Sequence, residues 1–468
     1  MKKVFFIFPP SPIMNREARC QQPVKDLMVI PPLPPLELMY FASIARELEF
    51  DCRIKDYSLN SLTLADLEAD LAEYNPDYVV FNVATPTKNS DFAVSKVVKN
   101  VSKNIKTVAF GAIFLLEAKK ALCDFSELDF VLKGEGELTL KELLSGKTYE
   151  EIKGLVYRSD EQVVENENRE FIQNLDDIPF PSRDLVDNSL YRRPDNEKVQ
   201  TLIKVARGCP FHCFFCLATP VSGAKVRYRS VENIIEEIKE CVQRYNITNF
   251  VFWSDIFDLD RDWVFNLCDK LIKEDLTITW SSNTRVDTID FELAKRMYDA
   301  GCRLVSVGFE SGSQEILDKM GKKIDLERSG EAVRSLKKAK LKIYGYFVIG
   351  LPWENESNIN QTIEFAKSID IDFVSFYTAT PLPGSRFYNY AKESGLIIED
   401  ECFTQDAYFV PTVPTHFLSR EKVLELHKKA MKSFYLRPSY ILKKIIGIKS
   451  LTELKNYIKA GLSLLFKK

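Results

Sequence analysis

The sequence is poor in histidine and contains no long apolar run. Its three histidines are His212, His416 and His427, so no histidine in residues 1–211 is available as a metal ligand. No stretch of about 18 consecutive apolar residues, the length that a membrane-spanning helix needs, is present. The amino terminus has a basic end and a short apolar run but no small-residue cleavage site. We therefore expect a cytoplasmic protein without a signal peptide.

The charge of the chain is nearly balanced overall but uneven along its length. Lys and Arg number 64 and Asp and Glu 67, a formal net charge of −3, which argues against a general nucleic-acid binder because phosphate affinity comes mainly from Lys and Arg. Residues 420–468, in contrast, carry thirteen Lys or Arg and three Glu. Two interpretations remain open for residues 434–468, whose apolar positions from Leu451 to Leu465 recur near helical spacing. They form either a basic amphipathic helix at the inner face of an anionic membrane or a helical cap with a solvated lysine face.

Residues 1–145 alternate short apolar runs with helical patterns. This rhythm predicts an α/β fold, a Rossmann-like parallel sheet with helices on both faces. Ligands of such sheets bind beyond the carboxyl ends of the strands. Those ends are Pro9–Pro12, Ala84–Pro86, Gly111–Phe114 and Lys133–Glu137.

The remaining chain divides into three further segments. Residues 146–200 are polar and rich in turn residues, which predicts a connector. The βα rhythm returns in residues 201–390 with six strand candidates, which predicts a partial (β/α)6 barrel whose chemistry lies at the carboxyl ends of its strands. We expect residues 391–468 to form a helical, basic region.

Three of the ten cysteines fall within one short loop. Residues 207–216 read Arg-Gly-Cys-Pro-Phe-His-Cys-Phe-Phe-Cys, with Cys209, Cys213 and Cys216 directly after a strand candidate. In a reducing compartment such clusters indicate a metal or catalysis rather than disulfides. Thiolates are natural ligands of iron–sulfur clusters, and three of them leave one iron of a cubane without a protein ligand. A zinc site that also uses His212 is the alternative. The solitary cysteines are expected to pack in cores: Cys20, Cys52, Cys123, Cys241, Cys268, Cys302 and Cys402.

The cysteine loop resembles the signature of the radical S-adenosylmethionine (SAM) enzymes. The likeness extends over residues 200–385 through segments at the strand ends: Phe252–Asp255, Ser282–Arg285, Val307–Ser313, Gly345–Pro352 and Thr380–Ser385. It implies a [4Fe–4S] cluster on the three cysteines. The implied SAM contacts are Phe215, Ser254, Asp255, Arg285, Glu310, Ser311 and Gly350. Ser254-Asp255 departs from the two glycines and glutamate frequent in the family. Apart from the resemblance, Asp255 and Glu310 are acidic residues at the ends of predicted strands, where a cationic sulfonium ligand would lie. The alternative is that each is a solvated loop charge or a helix N-cap.

Residues 1–145 resemble the cobalamin-binding domain that precedes many of these enzymes. The likeness is carried by Phe8–Pro10, Pro76–Val80, Val108–Ala112 and Lys133–Glu137. The implied cobalamin contacts are Pro9, Pro10, Thr85, Gly111, Ala112, Gly134, Glu135 and Gly136. The family's D-x-H-x-x-G motif is absent, so bound cobalamin would have no histidine on its lower face. A Rossmann-like domain that has lost its ligand, or only covers the active site, is the alternative.

Together these resemblances imply a cobalamin-dependent radical SAM enzyme. A 5′-deoxyadenosyl radical would take hydrogen from an unactivated carbon, and cobalamin would supply a methyl group to it. The tail resembles that of relatives acting on lipid-like or porphyrin-like substrates, which favours a hydrophobic small-molecule or lipid-like substrate. A flavodoxin or ferredoxin would supply the electron, and no nucleic acid is expected. Oxidative cyclisation or rearrangement without methyl transfer, and a non-catalytic metal-binding protein, remain alternatives.

Overall fold

The protein folds around two β-sheets flanked by helices, the α/β architecture that the sequence predicts. The computed structural model describes residues 1–17, 20–24, 32–159, 162–193, 197–397 and 406–447, with five single positions between 454 and 461. Cys402, Leu451, Leu462, Leu465 and the side chain of Cys20 lie outside the described residues. None of the described helices is both long enough and apolar enough to cross a membrane.

The first sheet has seven strands in the order β4-β1-β5-β6-β7-β8-β9. Its strands are β1 (Lys3–Phe8), β4 (Asp51–Asp56), β5 (Tyr78–Asn82), β6 (Lys106–Phe110), β7 (Phe130–Leu132), β8 (Leu155–Ser159) and β9 (Gln162–Glu165), and a hairpin of β2 (Met14–Glu17) and β3 (Cys20–Pro23) stands apart. The helices are α1 (Leu36–Glu47), α2 (Leu64–Tyr74), α3 (Lys88–Val101), α4 (Phe114–Asp124) and α5 (Glu137–Leu144). The strands from β4 to β7 run parallel, as predicted.

Strands β8 and β9 differ from the sequence-based expectation, because they lie inside the segment predicted to be a connector. They add to β7 in antiparallel fashion. Leu155, Val156 and Tyr157 are fully buried against the first sheet. The run is only three apolar residues long and is followed by polar ones, so its sequence pattern is that of a turn-rich segment, and only pairing with β7 makes it a strand.

The second sheet has six parallel strands in the order β10-β13-β14-β15-β16-β17, which confirms the partial barrel. The strands are β10 (Gln200–Lys204), β13 (Asn249–Trp253), β14 (Thr279–Thr284), β15 (Cys302–Glu310), β16 (Lys342–Ile349) and β17 (Phe373–Thr378), and a separate ribbon pairs β11 (Ala206–Arg207) with β12 (Arg227–Tyr228). The helices are α6 (Ala218–Ser222), α7 (Val231–Tyr245), α8 (Arg261–Lys273), α9 (Phe291–Asp299), α10 (Gln314–Lys319), α11 (Leu326–Lys338), α12 (Glu356–Ser368) and α13 (Arg386–Glu393).

The core of the barrel lies between its strands and its helices. Helix α7 shows how the sequence builds this layer: Ser230 caps its first turn by accepting from Asn233 N, and Ile234 and Ile238 face the sheet. Alternate residues of the strands meet this layer, and Phe347 stacks on Phe376 with a centroid distance of 5.3 Å. Full burial of one such side chain contributes about 1.5–3 kcal/mol.

Two carboxyl-terminal helices, α14 (Arg420–Tyr435) and α15 (Pro438–Gly447), close the edge of the barrel sheet. The Tyr435 hydroxyl accepts from Val374 N at 2.9 Å and donates to Val374 O at 2.6 Å. These contacts satisfy backbone groups of the edge strand β17, which would otherwise remain open to pairing. Tyr435 and Tyr440 therefore cover this edge as a helical cap would, and membrane contact of the rest of the tail stays a prediction.

Of the five solitary cysteines whose side chains the structure describes, four pack in cores. Cys52, Cys241, Cys268 and Cys302 are buried, and burial raises the pKa of Cys241 to about 12, which makes it chemically inert at neutral pH. Cys123 corrects the expectation, because it is exposed on α4. Its position near the end of that helix, beside the exposed Asp124, directs it away from the buried Leu122.

Candidate functional site

The two ends of the cysteine loop are joined by the β11–β12 ribbon, in which Arg207 pairs with Arg227. Gly208 has φ +102°, and a Cβ atom there would lie 2.1 Å from the Lys225 carbonyl oxygen. Only glycine fits this close approach of two backbone segments. The loop of residues 208–226 therefore leaves the barrel and returns to it at a single, tightly packed point.

The three cysteines lie on this loop, and none of them forms a disulfide. Cys209 is buried, and Cys213 and Cys216 are half-buried. Cys209 N donates to Gly223 O at 2.9 Å, and Cys216 N donates to Cys213 O at 3.1 Å. The Thr219 hydroxyl is within 2.9 Å of the Cys209 and Phe211 carbonyl oxygens. Such backbone bonds hold the loop in one conformation.

The donor chemistry of the loop fits an iron–sulfur cubane, in which each thiolate binds its own iron. Among the residues that the structure describes, no three histidine, cysteine, aspartate or glutamate side chains converge on a point that a single metal ion would fill. His212, the fourth ligand of the zinc alternative, is exposed, and its carbonyl accepts from Arg386 at 3.3 Å.

The predicted SAM contacts on β13 are braced against the cysteine loop. Asp255 Oδ2 accepts from Gly208 N at 2.8 Å. Ser254 Oγ donates to Asn283 Oδ1 at 3.0 Å, and Asn283 Nδ2 donates to the Asp255 carbonyl at 3.2 Å. Asp255 is not the N-cap of helix α8. That position is taken by Asp260, which accepts from Trp263 N. Asp255 thus lies at the loop, as its predicted role requires.

Glu310 ends β15 with φ +66° and forms a buried ion pair with Lys322, at an Oε1–Nζ distance of 2.7 Å. Burial alone would lower the pKa of Lys322, but Glu310 and Cys213 beside it raise that pKa above its ordinary value. Sequence reasoning missed Lys322, because nothing in the sequence distinguishes it from its exposed neighbour Lys323.

Arg285 completes the polar wall next to the loop. Its guanidinium carbon lies 3.7 Å from the centre of the Phe211 ring. Its Nη2 donates to Asp287 Oδ2 and to the Lys322 carbonyl, both at 2.9 Å. The structure thus brings Asp255, Arg285 and Glu310 to the cysteine loop.

The other predicted SAM contacts have structural partners in the barrel. Ser311 Oγ lies 3.0 Å from Thr362 Oγ1 and accepts from Ser313 N. Gly350 has φ +85° at the end of β16, where a Cβ atom would lie 2.9 Å from Val423. Phe215 is half-buried against the barrel core. Their contact with SAM stays a prediction.

The carboxyl edge of the first sheet carries the residues predicted to hold cobalamin. Gly111 has φ +147°, and a Cβ atom there would lie 2.1 Å from Val83 O, so only glycine allows β5 and β6 to end this close together. At Gly134, which has φ +68°, an added Cβ atom would meet nothing within 4 Å. Asn82 Oδ1 is buried at the end of β5 without a hydrogen-bond partner among the described residues. Open space beside a glycine and an orphaned polar atom at the strand ends fit a large ligand.

The β2–β3 hairpin, which sequence reasoning did not predict, crosses part of this edge. Arg16 binds both Asp91 oxygens at 2.8 Å, and neither side chain is exposed. Asp91 also accepts from Ala84 N at 3.0 Å. The Thr85 N–H donates to Gln21 Oε1 at 2.7 Å, so the backbone N–H of this predicted contact is already bonded. Nothing in the sequence around Arg16, a single arginine in a turn-rich segment, indicates that it pairs with Asp91.

The remaining predicted cobalamin contacts line the same edge. Ala112 and Pro9 are buried, and Pro10 is half-buried. A Cβ atom on Gly136 would lie 3.0 Å from the Phe41 ring. The Glu135 carboxylate faces the barrel instead, because both its oxygens bind Arg227, at 2.9 and 2.8 Å. A cobalamin contact of Glu135 would therefore have to come from its backbone.

Family comparisons agree with this two-part arrangement. Residues 203–366 match the model described as the radical SAM superfamily, and residues 30–144 match the B12 binding domain. Among curated proteins, an uncharacterized methyltransferase of Pyrococcus horikoshii is 34% identical over 438 residues, which cover 90% of this chain and 95% of the relative.

Two further matches are weaker. An anaerobic magnesium-protoporphyrin IX monomethyl ester cyclase of Rubrivivax gelatinosus is 24% identical, over 87% of this chain and 75% of its own. The solved structure of OxsB, a cobalamin-dependent SAM radical enzyme with aqua-cobalamin and SAM bound, has a TM-score of 0.76 at 15% identity. The match covers 98% of this chain and 70% of OxsB. At that identity, the likeness shows a shared fold.

Proposed function

The chain belongs to the radical SAM superfamily and carries a B12-binding domain, and on that premise we propose that it is a cobalamin-dependent methyltransferase acting on an unactivated carbon of a hydrophobic small-molecule or lipid-like substrate. The observation that carries the proposal is the joining of two sites. The three cysteines, none of which forms a disulfide, lie on a loop whose base is bonded to the carboxyl edge of the first sheet.

The proposed roles follow the geometry of the site. Cys209, Cys213 and Cys216 hold a [4Fe–4S] cluster, and Asp255 and Glu310 accept from the cationic end of SAM. The carboxyl edge of the first sheet holds cobalamin. When bound, SAM supplies the 5′-deoxyadenosyl radical and cobalamin supplies the methyl group.

The chain's own contribution is placement and the exclusion of water. Glu310 and Lys322 are each less than one-tenth exposed, so their charges act in a medium where electrostatic interactions are strong. The half-buried loop limits solvent access to the thiols, which protects a reactive radical from side reactions.

The proposed domain division keeps the sequence-based bounds for the barrel, at 201–390, and for the helical region beyond, and moves the boundary between the cobalamin domain (1–145) and the connector (146–200). Strands β8 and β9 belong to the first sheet, which extends the first domain to Glu165. An acidic flavodoxin or ferredoxin is proposed as the electron donor.

The test of the cluster is the Cys213→Ala variant, matched with Cys241→Ala, which removes a buried core thiol instead. After anaerobic reconstitution, Cys213→Ala should lose iron, sulfide and 5′-deoxyadenosine formation, and Cys241→Ala should keep all three. Retained SAM cleavage in Cys213→Ala would contradict the ligand assignment. Zinc in place of iron, without 5′-deoxyadenosine under strong reductant, would favour the metal-binding alternative.

Oxidative cyclisation is the second candidate, and the cyclase relative favours it. The mass of the product decides between the two. A gain of one methylene unit supports methylation, whereas loss of hydrogen without added carbon supports cyclisation. Extraction of cobalamin from the anaerobically purified protein tests the cofactor directly.

A further inference from the structure

The two arginines at the base of the cysteine loop both reach into the first domain. Arg227 Nη1 and Nη2 donate to Glu135 Oε2 and Oε1 at 2.9 and 2.8 Å. Arg207 Nη2 lies 2.5 Å from Glu137 Oε1, and its Nη1 lies 3.3 Å from Glu135 Oε1. Two carboxylates that flank Gly136 thus hold both strands of the β11–β12 ribbon. We call these four side chains the clamp.

Because the clamp is buried, separating its charged groups costs much free energy. All four side chains are at most 7% exposed. Burial alone would raise the pKa of Glu135, but Arg207 and Arg227 hold it below its ordinary value. In such surroundings the loss of one partner leaves an uncompensated charge, so displacement of the ribbon from the two carboxylates is strongly opposed.

The carboxylates are themselves fixed to the first sheet. Gly134 and Gly136 follow β7, and Glu137 begins α5, where an acid is favoured by the helix dipole. A Cβ atom on Gly136 would lie 3.0 Å from the Phe41 ring, so the ring would have to shift to admit a side chain. The edge predicted to hold cobalamin and the loop predicted to hold the cluster are therefore connected by one rigid set of contacts.

We propose that Glu135 and Glu137 are positioning residues, which set the cysteine loop against the carboxyl edge of the first sheet so that radical formation and methyl transfer act on the same substrate carbon. This inference rests on the proposed function. The clamp side chains act through Arg207 and Arg227 on the orientation of the loop. Misplacement of reacting groups by small distances costs rate even when each half of the site is intact.

A purely structural ion pair is the competing interpretation, and the chain offers a matched control for it. Glu237 lies between Arg183, at 2.6 Å, and Arg229, with all three side chains at most 5% exposed. This triad has the same chemistry and burial as the clamp. It joins helix α7 to the connector and to the segment after β12, and makes no ion pair with the first sheet.

The test is amide hydrogen exchange in the full-length protein, measured before and after reconstitution with iron and sulfide. Glu135→Gln and Glu137→Gln should each speed exchange in residues 208–226 about tenfold or more, because local opening no longer breaks the charged contacts. Glu237→Gln should speed exchange in α7 and leave residues 208–226 unchanged. Unchanged exchange of the loop in the clamp variants, or an equal effect of Glu237→Gln on it, would overturn the proposal.

If a glutamine variant does not fold, Arg227→Lys is a milder substitution for the same measurement. Lysine retains the positive charge but loses the forked pair of hydrogen bonds to Glu135. It should raise loop exchange while leaving the strands of the first sheet protected. In reconstituted protein the clamp variants should also form 5′-deoxyadenosine with less methylated product per turnover. Absence of 5′-deoxyadenosine in the unmodified protein would overturn the proposed function. The hydrogen-exchange result would still show whether the clamp holds the cysteine loop in place.

Discussion

Glu310 and Lys322 approach to 2.7 Å and are almost fully enclosed, whereas Glu315 and Lys319 lie at the same distance on the surface of α10. The two lysines stand three residues apart in the chain. Judged by distance alone, the two ion pairs would contribute equally to stability. Burial separates them, because an exposed pair is solvated with or without its partner, whereas a buried charge depends on it.

The first prediction follows from this difference. Lys322→Met should lower the free energy of unfolding by about 3–5 kcal/mol, since Glu310 is left as an unpaired buried charge. Lys319→Met should leave it within error of the unmodified protein. Urea denaturation measures both. In protein that still takes up a cluster, Glu310→Gln should weaken SAM binding, because it removes the charge that attracts the cationic cofactor, and unchanged SAM affinity would remove Glu310 from the proposed site.

The second prediction concerns the base of the cysteine loop. Gly208→Ala should prevent cluster assembly, because its Cβ atom would lie 2.1 Å from the Lys225 carbonyl oxygen, and two backbone segments cannot both stay in place. Gly146 also has a positive φ, +77°, but an added Cβ atom there meets nothing within 4 Å. Gly146→Ala should cost about 1 kcal/mol from backbone strain alone and retain the cluster. Iron content and visible absorption after reconstitution compare the two, and a normal cluster in Gly208→Ala would contradict the packing.

The order of the predicted strands and the position of the three cysteines could be read from the sequence because both are local patterns. Alternation of apolar runs and helical periods predicted β1 and β4 to β7 and the six barrel strands. The partners of Arg16 and Arg227 could not be found in this way. Arg16 pairs with a residue 75 positions away, and Arg227 with one 92 positions away, so only the folded chain identifies them. Strand β8 was missed for the same reason, since its partner β7 decides its structure.

The third prediction is a pH dependence of stability. Burial raises the pKa of Glu354 from 4.5 to about 8, and its Oε1 has no hydrogen-bond partner among the described residues. The folded protein therefore keeps a proton that the unfolded chain releases above pH 4.5. Stability from this group is present at low pH and is lost as the pH rises to about 8, by at most about 1.4 kcal/mol per pH unit.

Glu354→Gln isolates this contribution, because the amide cannot ionise and its oxygen can still accept from Leu351 N. The free energy of unfolding of the variant relative to the unmodified protein should increase from pH 5 to pH 8 and then level off. Glu37, whose pKa burial raises to about 7, titrates in both proteins and cancels in the difference. Denaturation curves at four pH values across this range suffice, and a difference that does not vary with pH would show that Glu354 is ionised in the folded state.

The last prediction concerns the outer face of α15. Ile441, Leu442, Ile445 and Ile446 are exposed there by 41, 59, 60 and 77%, while Tyr440 on the opposite face is buried and donates to the Asp372 carbonyl. Four adjacent apolar side chains in a segment rich in lysine match an anionic lipid surface, since apolar insertion and charge attraction act together. We therefore predict that this face binds vesicles of anionic lipid.

Leu442→Ser with Ile446→Ser should abolish co-sedimentation with vesicles that contain phosphatidylglycerol. Leu116→Ser, at a position 57% exposed on α4, removes a comparable apolar side chain far from the basic tail and should leave binding unchanged. Binding of the unmodified protein should fall with added salt, because screening weakens the attraction of lysines to the lipid. Equal binding to purely zwitterionic vesicles would contradict a role for the lysines, and loss of binding in both variants would point to nonspecific adsorption of exposed apolar groups.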